Sequence, residues 1–418
     1  MEVQQEIGGK TGNSFEENQE IEKVAMATKF VPVEQLVVEA KKNFKEQFGE
    51  EADIAVFAPG RVNLIGEHTD YNDGFVMPMA LPLVTVMVGK KVEGSVVTVY
   101  TTSKFCDQKT SFDLPSPCAP IRAITPVGPK WVMYIKGVIV NYIGDIPPAF
   151  NAVVHTNVPI GGGLSSSASL EVATYVFLDQ LTGTKAIGLT DKALACQKAE
   201  HDYAGMPCGI MDQFISFMGK QDHALLIDCR HLTSHLIPLT EQNVVVLITN
   251  SNVKHELTGS EYPTRRKQCE EAALLLKKVS LRDANLDDIK YLESINTNKE
   301  IVARARHVIT EIKRTSDAAE MLKQKNFLVF GELMNQSHVS LRDDYQVSCP
   351  ELDSLVELAL EVDGVIGSRM TGGGFGGCTV TLVYSHAVDK VIENIQKKYK
   401  GNATFYVCKP SAGASVIS

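Results

Sequence analysis

Three stretches carry side chains whose types and spacing suit chemistry on a phosphorylated ligand. In Gly161-Gly-Gly-Leu-Ser-Ser-Ser-Ala-Ser169, three glycines precede three hydroxyls. Lacking Cβ atoms, the glycines let the backbone approach a ligand closely and adopt positive φ. The apolar spacing of Leu170–Leu181 predicts a helix. The glycines therefore lead into a helix N-terminus, whose unpaired N–H groups attract anions, most often phosphate. A flexible Gly/Ser linker is the competing reading. The strand pattern of Asn151–Val158, feeding directly into the glycines, favours the phosphate cradle.

The second stretch, Arg61-Val-Asn-Leu-Ile-Gly-Glu-His-Thr-Asp-Tyr-Asn-Asp-Gly74, gathers Arg61, Asn63, Glu67, His68, Asp70 and Asn72. Carboxylates accept pairs of hydroxyls, so Glu67, His68 and Asp70 read as a sugar site, against the plainer alternative of a polar surface loop. The third, Gly205-Met-Pro-Cys-Gly-Ile-Met-Asp-Gln-Phe214, breaks and restarts a helical pattern, placing Asp212 near a helix N-terminus.

A loop that holds a nucleotide's phosphates implies phosphoryl transfer, which needs a divalent metal, charge-stabilising donors and an aligned nucleophile. The hydroxyls of Ser165–Ser167 and the Glu200 carboxylate are suitable Mg²⁺ ligands. Asp212 is a candidate base for a substrate hydroxyl, with Arg61 as its partner and as a neutraliser of phosphoryl charge. Neither G-x-x-x-x-G-K-[ST] nor H-R-D with D-F-G is present, and Gly9-Lys10-Thr11 has Gln4 where a P-loop needs glycine. Near the C-terminus Thr371-Gly-Gly-Gly-Phe-Gly-Gly377 runs into the alternating strand pattern Cys378–Tyr384. It reads either as a backbone wall against a ligand or as a bulge at a tight bend.

These stretches must be positioned by the elements around them. The spacing predicts an amphipathic helix over Val33–Phe48 and a strand over Asp53–Ala58 that stops at Pro59-Gly60. Strands are expected at Leu83–Lys90 and Ser95–Thr101, then an irregular excursion over Cys106–Pro129 and a helix over Lys130–Tyr142. A helix capped by Thr190 should run to about Ala204, carrying Glu200. Strands follow at Ala224–Cys229 and Val244–Asn250, then helices at Glu261–Val279, Lys299–Lys323, Phe327–Arg342 and Glu351–Leu360. Residues 1–28, rich in Glu and Gln with few aromatics, read as a disordered and dispensable tail.

The bulk properties set limits. A chain of 418 residues predicts two domains, and 44% hydrophobic with 22% charged residues is the composition of a soluble globular protein. A net charge of −9 without a basic stripe argues against nucleic acid. Nine scattered cysteines without C-x-x-C read as reduced thiols in the cytoplasm, and His231 with His235 lacks the partners of a zinc site. The polar N-terminus lacks a signal-peptide pattern, and Val76–Val88 is too short to span a bilayer. A cytoplasmic monomer acting on small molecules, with no nucleic-acid or membrane partner, is expected.

Together the residues resemble a known family. Pro159-Ile-Gly-Gly-Gly-Leu-Ser-Ser-Ser-Ala-Ser169 resembles the phosphate loop of the GHMP small-molecule kinases. Ala58-Pro-Gly-Arg-Val-Asn-Leu-Ile-Gly-Glu-His-Thr-Asp-Tyr71 resembles the galactokinase signature within that family, and Thr371–Gly377 its third motif. The likeness runs from about Val33 to the end, with the motifs in the family's order. It implies a two-domain architecture, α/β in residues 29–230 and α+β in 231–418, with the active site in the interdomain cleft. It also implies ATP and Mg²⁺, and phosphorylation of the anomeric hydroxyl of α-D-galactose to galactose 1-phosphate, the entry step of the Leloir pathway.

Residue by residue, the resemblance makes Asp212 the catalytic aspartate and Arg61 its partner, both also touching sugar. Glu67, His68, Asp70, Gly209 and Tyr262 (in Ser260-Glu-Tyr-Pro263) match sugar positions, and Gly161, Gly163, Ser165 and Ser166 match nucleotide positions. Glu200 with Ser166 or Ser167 matches the Mg²⁺ ligands. Two neighbouring readings compete. For an N-acetylgalactosamine kinase, Thr69–Asp73 and Cys208–Phe214 look more like the galactose branch. For a non-catalytic galactose sensor, the intact phosphate loop, Arg61 and Asp212 argue against it.

Overall fold

Apolar residues at helical spacing after Pro32 produce helix α1 (Val33–Phe48), which buries Leu36, Val37, Ala40 and Phe44 and stops at left-handed Gly49. The computed structural model describes residues 27–28, 30–115, 121, 124–184, 187–253 and 261–417. After α1 come strands β1 (Ile54–Asn63), β2 (Phe75–Val76), β3 (Pro78–Lys91), β4 (Val96–Thr101) and β5 (Lys109–Asp113). Helix α2 (Lys130–Asn141), strand β6 (Phe150–Thr156) and helices α3 (Ser166–Thr182), α4 (Leu189–Ala199) and α5 (Met211–Met218) follow, then β7 (His223–Asp228) and β8 (Thr233–Pro238).

The second half begins with β9 (Val244–Asn250) and continues through helices α6 (Glu261–Leu275), α7 (Leu286–Ser294), α8 (Lys299–Lys323), α9 (Phe327–Ser340) and α10 (Pro350–Leu360). Strands β10 (Val365–Thr371) and β11 (Cys378–Tyr384), helix α11 (Val388–Lys398), and strands β12 (Thr404–Cys408) and β13 (Ser415–Val416) complete it.

Three sheets result, in the strand orders β13-β1-β3-β6-β4-β5, β10-β11-β9-β12 and β2-β7-β8. One core packs the first sheet beneath α2–α5, with Val56, Val99, Ala173, Phe177 and Ile215 buried together. A second core joins Val62, Met79 and Leu81 of the first half to Val246, Ile248, Phe330 and Leu382 of the second. A cut at 230/231 would fall between paired strands β7 and β8, and β13 returns from the C-terminus to pair with β1.

Several expectations change. β1 does not stop at Pro59-Gly60. The ladder with β3 absorbs them in a register shift between Pro59 and Arg61, so Arg61 and Asn63 sit on a strand. Only glycine fits at position 60, where a Cβ would lie 2.6 Å from the Leu164 carbonyl oxygen. α3 begins at Ser166, not Leu170, so the hydroxyls belong to the helix's first turn. α4 starts after Gly188 with no side-chain cap, leaving Thr190 inside it, and Glu200–Ala204 forms a separate π-turn. Strand β3 begins at Pro78 rather than Leu83, and α6 ends at Leu275 rather than Val279.

The excursion Cys106–Pro129 contains β5, an edge strand with no buried residue and hence little hydrophobic signature. Strands β2, β8, β10, β12 and β13 and helices α7 and α11 were not anticipated. Residues 1–26 of the expected tail lie outside the described residues, as do 116–120, 122–123 and Ser260. Ala27 and Thr28 belong to the fold and not to a tail. Ala27 packs on the core around α10 and α11, and the Thr28 N–H donates to the Phe405 carbonyl at 2.8 Å. No helix among the described residues is long and apolar enough to cross a membrane.

α9 lies against β10 with no room between the backbones. A Cβ on Gly331 would fall 1.9 Å from the Ile366 carbonyl oxygen, and one on Gly367 would fall 2.6 Å from Gly331 Cα. Gly331→Ala must separate helix and strand, and is expected to cost about 3 kcal/mol or more. A urea midpoint unchanged from wild type would show that the contact yields cheaply.

Candidate active site

The sequence brings its candidate residues into one cleft of about 510 Å³. Its lining includes Arg61, Glu67, His68, Asp70, Gly161, Gly163, Ser165, Ser166, Ser167, Glu200, Gly209, Asp212 and Tyr262, whereas Asn63 and Asn72 stand outside it, bonded to the Met77 N–H and the His68 carbonyl. The lining also draws on both halves of the chain, since Tyr262, Gly372 and Gly373 come from the second.

At one end lies the glycine turn between β6 and α3. Gly161 and Gly163 have φ of 72° and 74°, and Ser165 has φ of 59°, a left-handed conformation that non-glycine residues seldom adopt. The Ser169 N–H already donates to the Ser165 carbonyl at 3.0 Å. The amides of Ser166–Ala168 have no acceptor within the helix, the condition that suits a helix N-terminus to phosphate. The second glycine loop presses on this turn. A Cβ on Gly372 would approach the Gly163 carbonyl oxygen to 2.9 Å, and the Cys378 thiol donates to the Gly162 carbonyl at 2.9 Å. Thr371–Gly377 is therefore chiefly a wall behind the phosphate loop, with Gly372 and Gly373 reaching the cleft.

Arg61 links the two ends. Its Nε and Nη2 donate to Asp212 Oδ1 and Oδ2 at 2.8 and 3.0 Å, and its Nη1 donates to the Gly163 carbonyl at 2.5 Å. Burial works against the guanidinium charge, but Asp212, Glu67 and Asp70 outweigh it and push its pKa up. The Ser165 hydroxyl donates to Asp212 Oδ2, so this side chain serves the aspartate directly. Asp212 sits in the first turn of α5.

At the other end, Glu67 Oε1 accepts from the Gly372 N–H at 2.7 Å, the Thr371 hydroxyl at 3.0 Å and Arg369 Nη1 at 3.4 Å. One oxygen of this expected sugar ligand is thus committed to the second half of the chain. His68 Nδ1 lies 2.8 Å from the Tyr71 hydroxyl, which lies 2.8 Å from that of Tyr345. Burial, then the neighbouring His307, hold the His68 pKa well below its usual value. Tyr262 packs on His68 and Tyr71 at 5.5 and 5.6 Å between ring centres. Gly209 is required because a Cβ there would meet Asp70 Oδ2 at 1.9 Å. Burial, then the negative charge of Asp212, raise the Asp70 pKa to about 7.

Glu200 occupies the π-turn after α4. Its Oε2 accepts from Gln213 Nε2 at 2.7 Å, and the same nitrogen donates to Glu171 Oε2 at 2.9 Å. Burial, then Asp212, raise the Glu200 pKa to about 7. Glu171 is pushed well above the carboxylate range by burial and then by Glu200. A buried carboxylate beside the Ser167 hydroxyl is a hard-oxygen donor set of the kind Mg²⁺ uses. The His231–His235 pair has no such setting: His231 Nδ1 faces Asp228 at 3.2 Å, and no metal-ligand cluster exists among the described residues.

Arg369, Thr371, Gln213, Glu171, His307 and Tyr345 were not singled out from sequence. Thr371 and Gln213 lay in quoted motifs, so their neighbourhood was a signal. The others stand in ordinary helix or strand patterns and carry none.

Fold and site define a GHMP kinase. Family models for the GHMP kinases N terminal domain and C terminal domain match residues 133–220 and 318–401, and one for the galactokinase galactose-binding signature matches 42–91. The chain is 55% identical to the galactokinase of Homo sapiens, across 92% of this chain and 97% of that one. It is 46% identical to the galactokinase of Mannheimia succiniciproducens, across 90% and 97%. Among solved structures, a Lactococcus lactis galactokinase complexed with galactose superposes with a TM-score of 0.83 at 33% identity, covering 90% of this chain and 98% of that one. Mevalonate kinase from Methanococcus jannaschii shares the fold, with a TM-score of 0.60 at 17% identity, covering 86% and 98%. The chain belongs to the galactokinase family.

The raised Asp70 pKa has a consequence for stability. The unfolded chain loses this proton near 3.8 while the folded site keeps it to about 7, so Asp70 erodes stability as pH rises through that window. Asp70→Asn removes the effect. In the ligand-free protein its Tm relative to wild type is expected to rise by several degrees between pH 5 and pH 8. A difference that stays flat or falls would place an ionised Asp70 in the folded site.

Proposed function

We propose that the cleft transfers the γ-phosphoryl group of ATP to the anomeric hydroxyl of α-D-galactose, giving galactose 1-phosphate and ADP. The observation that carries this reading is the Arg61 guanidinium, which binds Asp212 on one side and the phosphate-loop Gly163 carbonyl on the other. An acceptor site and a donor site are thereby held at a fixed separation, which is the main requirement of phosphoryl transfer.

In this reading the first-turn amides of α3 and the Ser166 hydroxyl hold phosphate oxygens. Asp212 accepts the proton of the anomeric hydroxyl as the new P–O bond forms and the bond to the ADP oxygen breaks. The Ser165 hydroxyl and Arg61 orient its carboxylate. Arg61 also neutralises charge as the phosphoryl group moves. Glu67, His68, Asp70, Gly209 and Tyr262 receive the sugar hydroxyls and ring. Glu200 with Ser166 or Ser167 would hold Mg²⁺, which supplies charge neutralisation on the phosphates. The two functional halves are taken as residues 29–230 and 231–418. Buried free thiols at Cys196, Cys229, Cys269, Cys378 and Cys408 support a reducing cytoplasm, and a monomer suffices because one chain lines the whole cleft.

Steady-state kinetics with ATP across galactose, N-acetylgalactosamine, glucose and mevalonate test the substrate. Galactose is expected to give the highest kcat/KM. Preference for the N-acetyl sugar would move the assignment to that branch, and binding without turnover would make the chain a sensor. Asp212→Ala is expected to lower kcat by about 10³-fold while the Kd for ADP stays within threefold. A near-normal kcat would remove Asp212 from the chemistry.

A further inference from the structure

The end of the cleft that carries Glu67 and His68 contains a turn held only in part by its own stretch, where the Thr69 hydroxyl donates to the Gly66 carbonyl and Asn72 Nδ2 to the His68 carbonyl, both at 2.9 Å. Gly66 has φ of 98° and His68 has φ of 62°, so two of three consecutive residues are left-handed. Glycine accepts that conformation, whereas for histidine it costs free energy and persists only where surrounding structure imposes it. A Cβ at Gly66 would meet the Phe75 carbonyl oxygen at 2.7 Å and the Thr315 hydroxyl at 2.9 Å, so the turn lies directly on α8.

Two side chains of α8, one helical turn apart, take up two further backbone polar groups of this turn, the Gly66 N–H and the Glu67 carbonyl. Glu311 Oε1 accepts from the Gly66 N–H at 3.0 Å, and His307 Nε2 donates to the Glu67 carbonyl at 3.1 Å. A carbonyl can only accept, so Nε2 carries the proton and Nδ1 accepts from the Ser340 hydroxyl at 2.9 Å. Glu311 is itself held by the Ser337 hydroxyl and Arg314. His307 and Glu311 are both 0% exposed and neither lines the cleft. Each matches a polar group of the turn in kind, acceptor to N–H and donor to C=O, and each is locked by a partner on α8 or α9. The side chains that this turn aims into the cleft are Glu67 and His68.

We propose that His307 and Glu311 are positioning residues for sugar recognition, fixing the Gly66–His68 turn and thereby the placement of Glu67 and His68 in the pocket. This rests on the galactose reading above. Without the His307 bond, the left-handed His68 relaxes and carries its imidazole away from the Tyr71 hydroxyl. The phosphate loop is reached by neither side chain, so nucleotide affinity is insulated from the change.

The test uses the full chain and calorimetric titration of galactose alone and of ADP alone, with steady-state kinetics and Tm alongside. His307→Phe keeps the ring size and removes both polar atoms. It is expected to raise the Kd and KM for galactose about tenfold, with the Kd for ADP within twofold and kcat within threefold. His307→Gln keeps an N–H donor and is expected to recover galactose affinity to within threefold of wild type. Should His307→Phe fail to fold, Ser340→Ala decides the matter, since freeing Nδ1 is expected to weaken galactose three- to fivefold. A folded variant with lowered Tm but unchanged galactose affinity, or with galactose and ADP weakened equally, overturns the proposal. Failure of the wild-type chain to bind galactose overturns the galactose reading and this proposal together. Normal wild-type binding with unaffected variants overturns this one alone.

Discussion

Arg61 is a buried cation that three separate parts of the chain must satisfy at once. Its position comes from β1, its charge partner from α5 and its remaining acceptor from the phosphate loop. Stripping the partner from a buried ion pair costs about 3–5 kcal/mol, because the surviving charge is left uncompensated. The chain therefore has no low-energy arrangement in which β1, α5 and the glycine turn sit elsewhere relative to one another. The register shift at Pro59–Arg61 belongs to the same constraint. Beyond it, the Arg61 N–H donates to the Leu164 carbonyl at 3.1 Å, fastening the strand to the loop by backbone as well as by side chain.

From that point rigidity extends across the cleft without any covalent link. Gly163, which accepts from Arg61, lies against Gly372, and the Gly372 N–H is bonded to Glu67. Glu67 in turn belongs to the turn held by α8. The glycine-turn end and the Glu67–His68 end of the cleft thus share a wall two backbones thick, built from two glycine loops far apart in sequence. Glycine is needed there for close approach, since any side chain at Gly372 would push the phosphate loop off its position. The shared core of Val62, Met79, Val246 and Leu382 supports the same junction from behind. The halves are packed as one body at the site.

The features legible in the sequence are those whose physics is local. α1, α8, β9 and β11 emerge with the expected bounds because their hydrophobic period is complete within each segment. The glycine turn, Asp212 and the Glu67–Asp70 cluster announced themselves because glycines and charged side chains have few structural uses at such density. Features that rest on distant partners were silent. β5 has no buried face, and β10 buries Ser368, Arg369 and Thr371, so neither reads as a strand. His307 and Glu311 look like solvated helix positions until α9 and the Gly66–His68 turn close over them. Pro59 reads as a terminator because a bulge is a property of two strands and not of one.

The electrostatics of the cleft follow from the same packing. Glu67, Asp70, Glu171, Glu200 and Asp212 are gathered around one cleft, against the buried guanidiniums of Arg61 and Arg369. Acids therefore outnumber these guanidiniums around the cleft. Glu67 and Asp212 are matched by arginines, and the surplus falls on Asp70, Glu171 and Glu200. Each of these three has its pKa raised by burial and then by a neighbouring carboxylate. With its pKa raised to about 7, Asp70 is split between its two forms near neutral pH, and its carboxyl can donate as well as accept a hydrogen bond. Glu200 lies beside the Ser167 hydroxyl, and a divalent cation bound there would oppose both the burial and the Asp212 charge that raise its pKa. The acid surplus is thus spread along the cleft on either side of Arg61, the cation that joins Asp212 to the Gly163 turn.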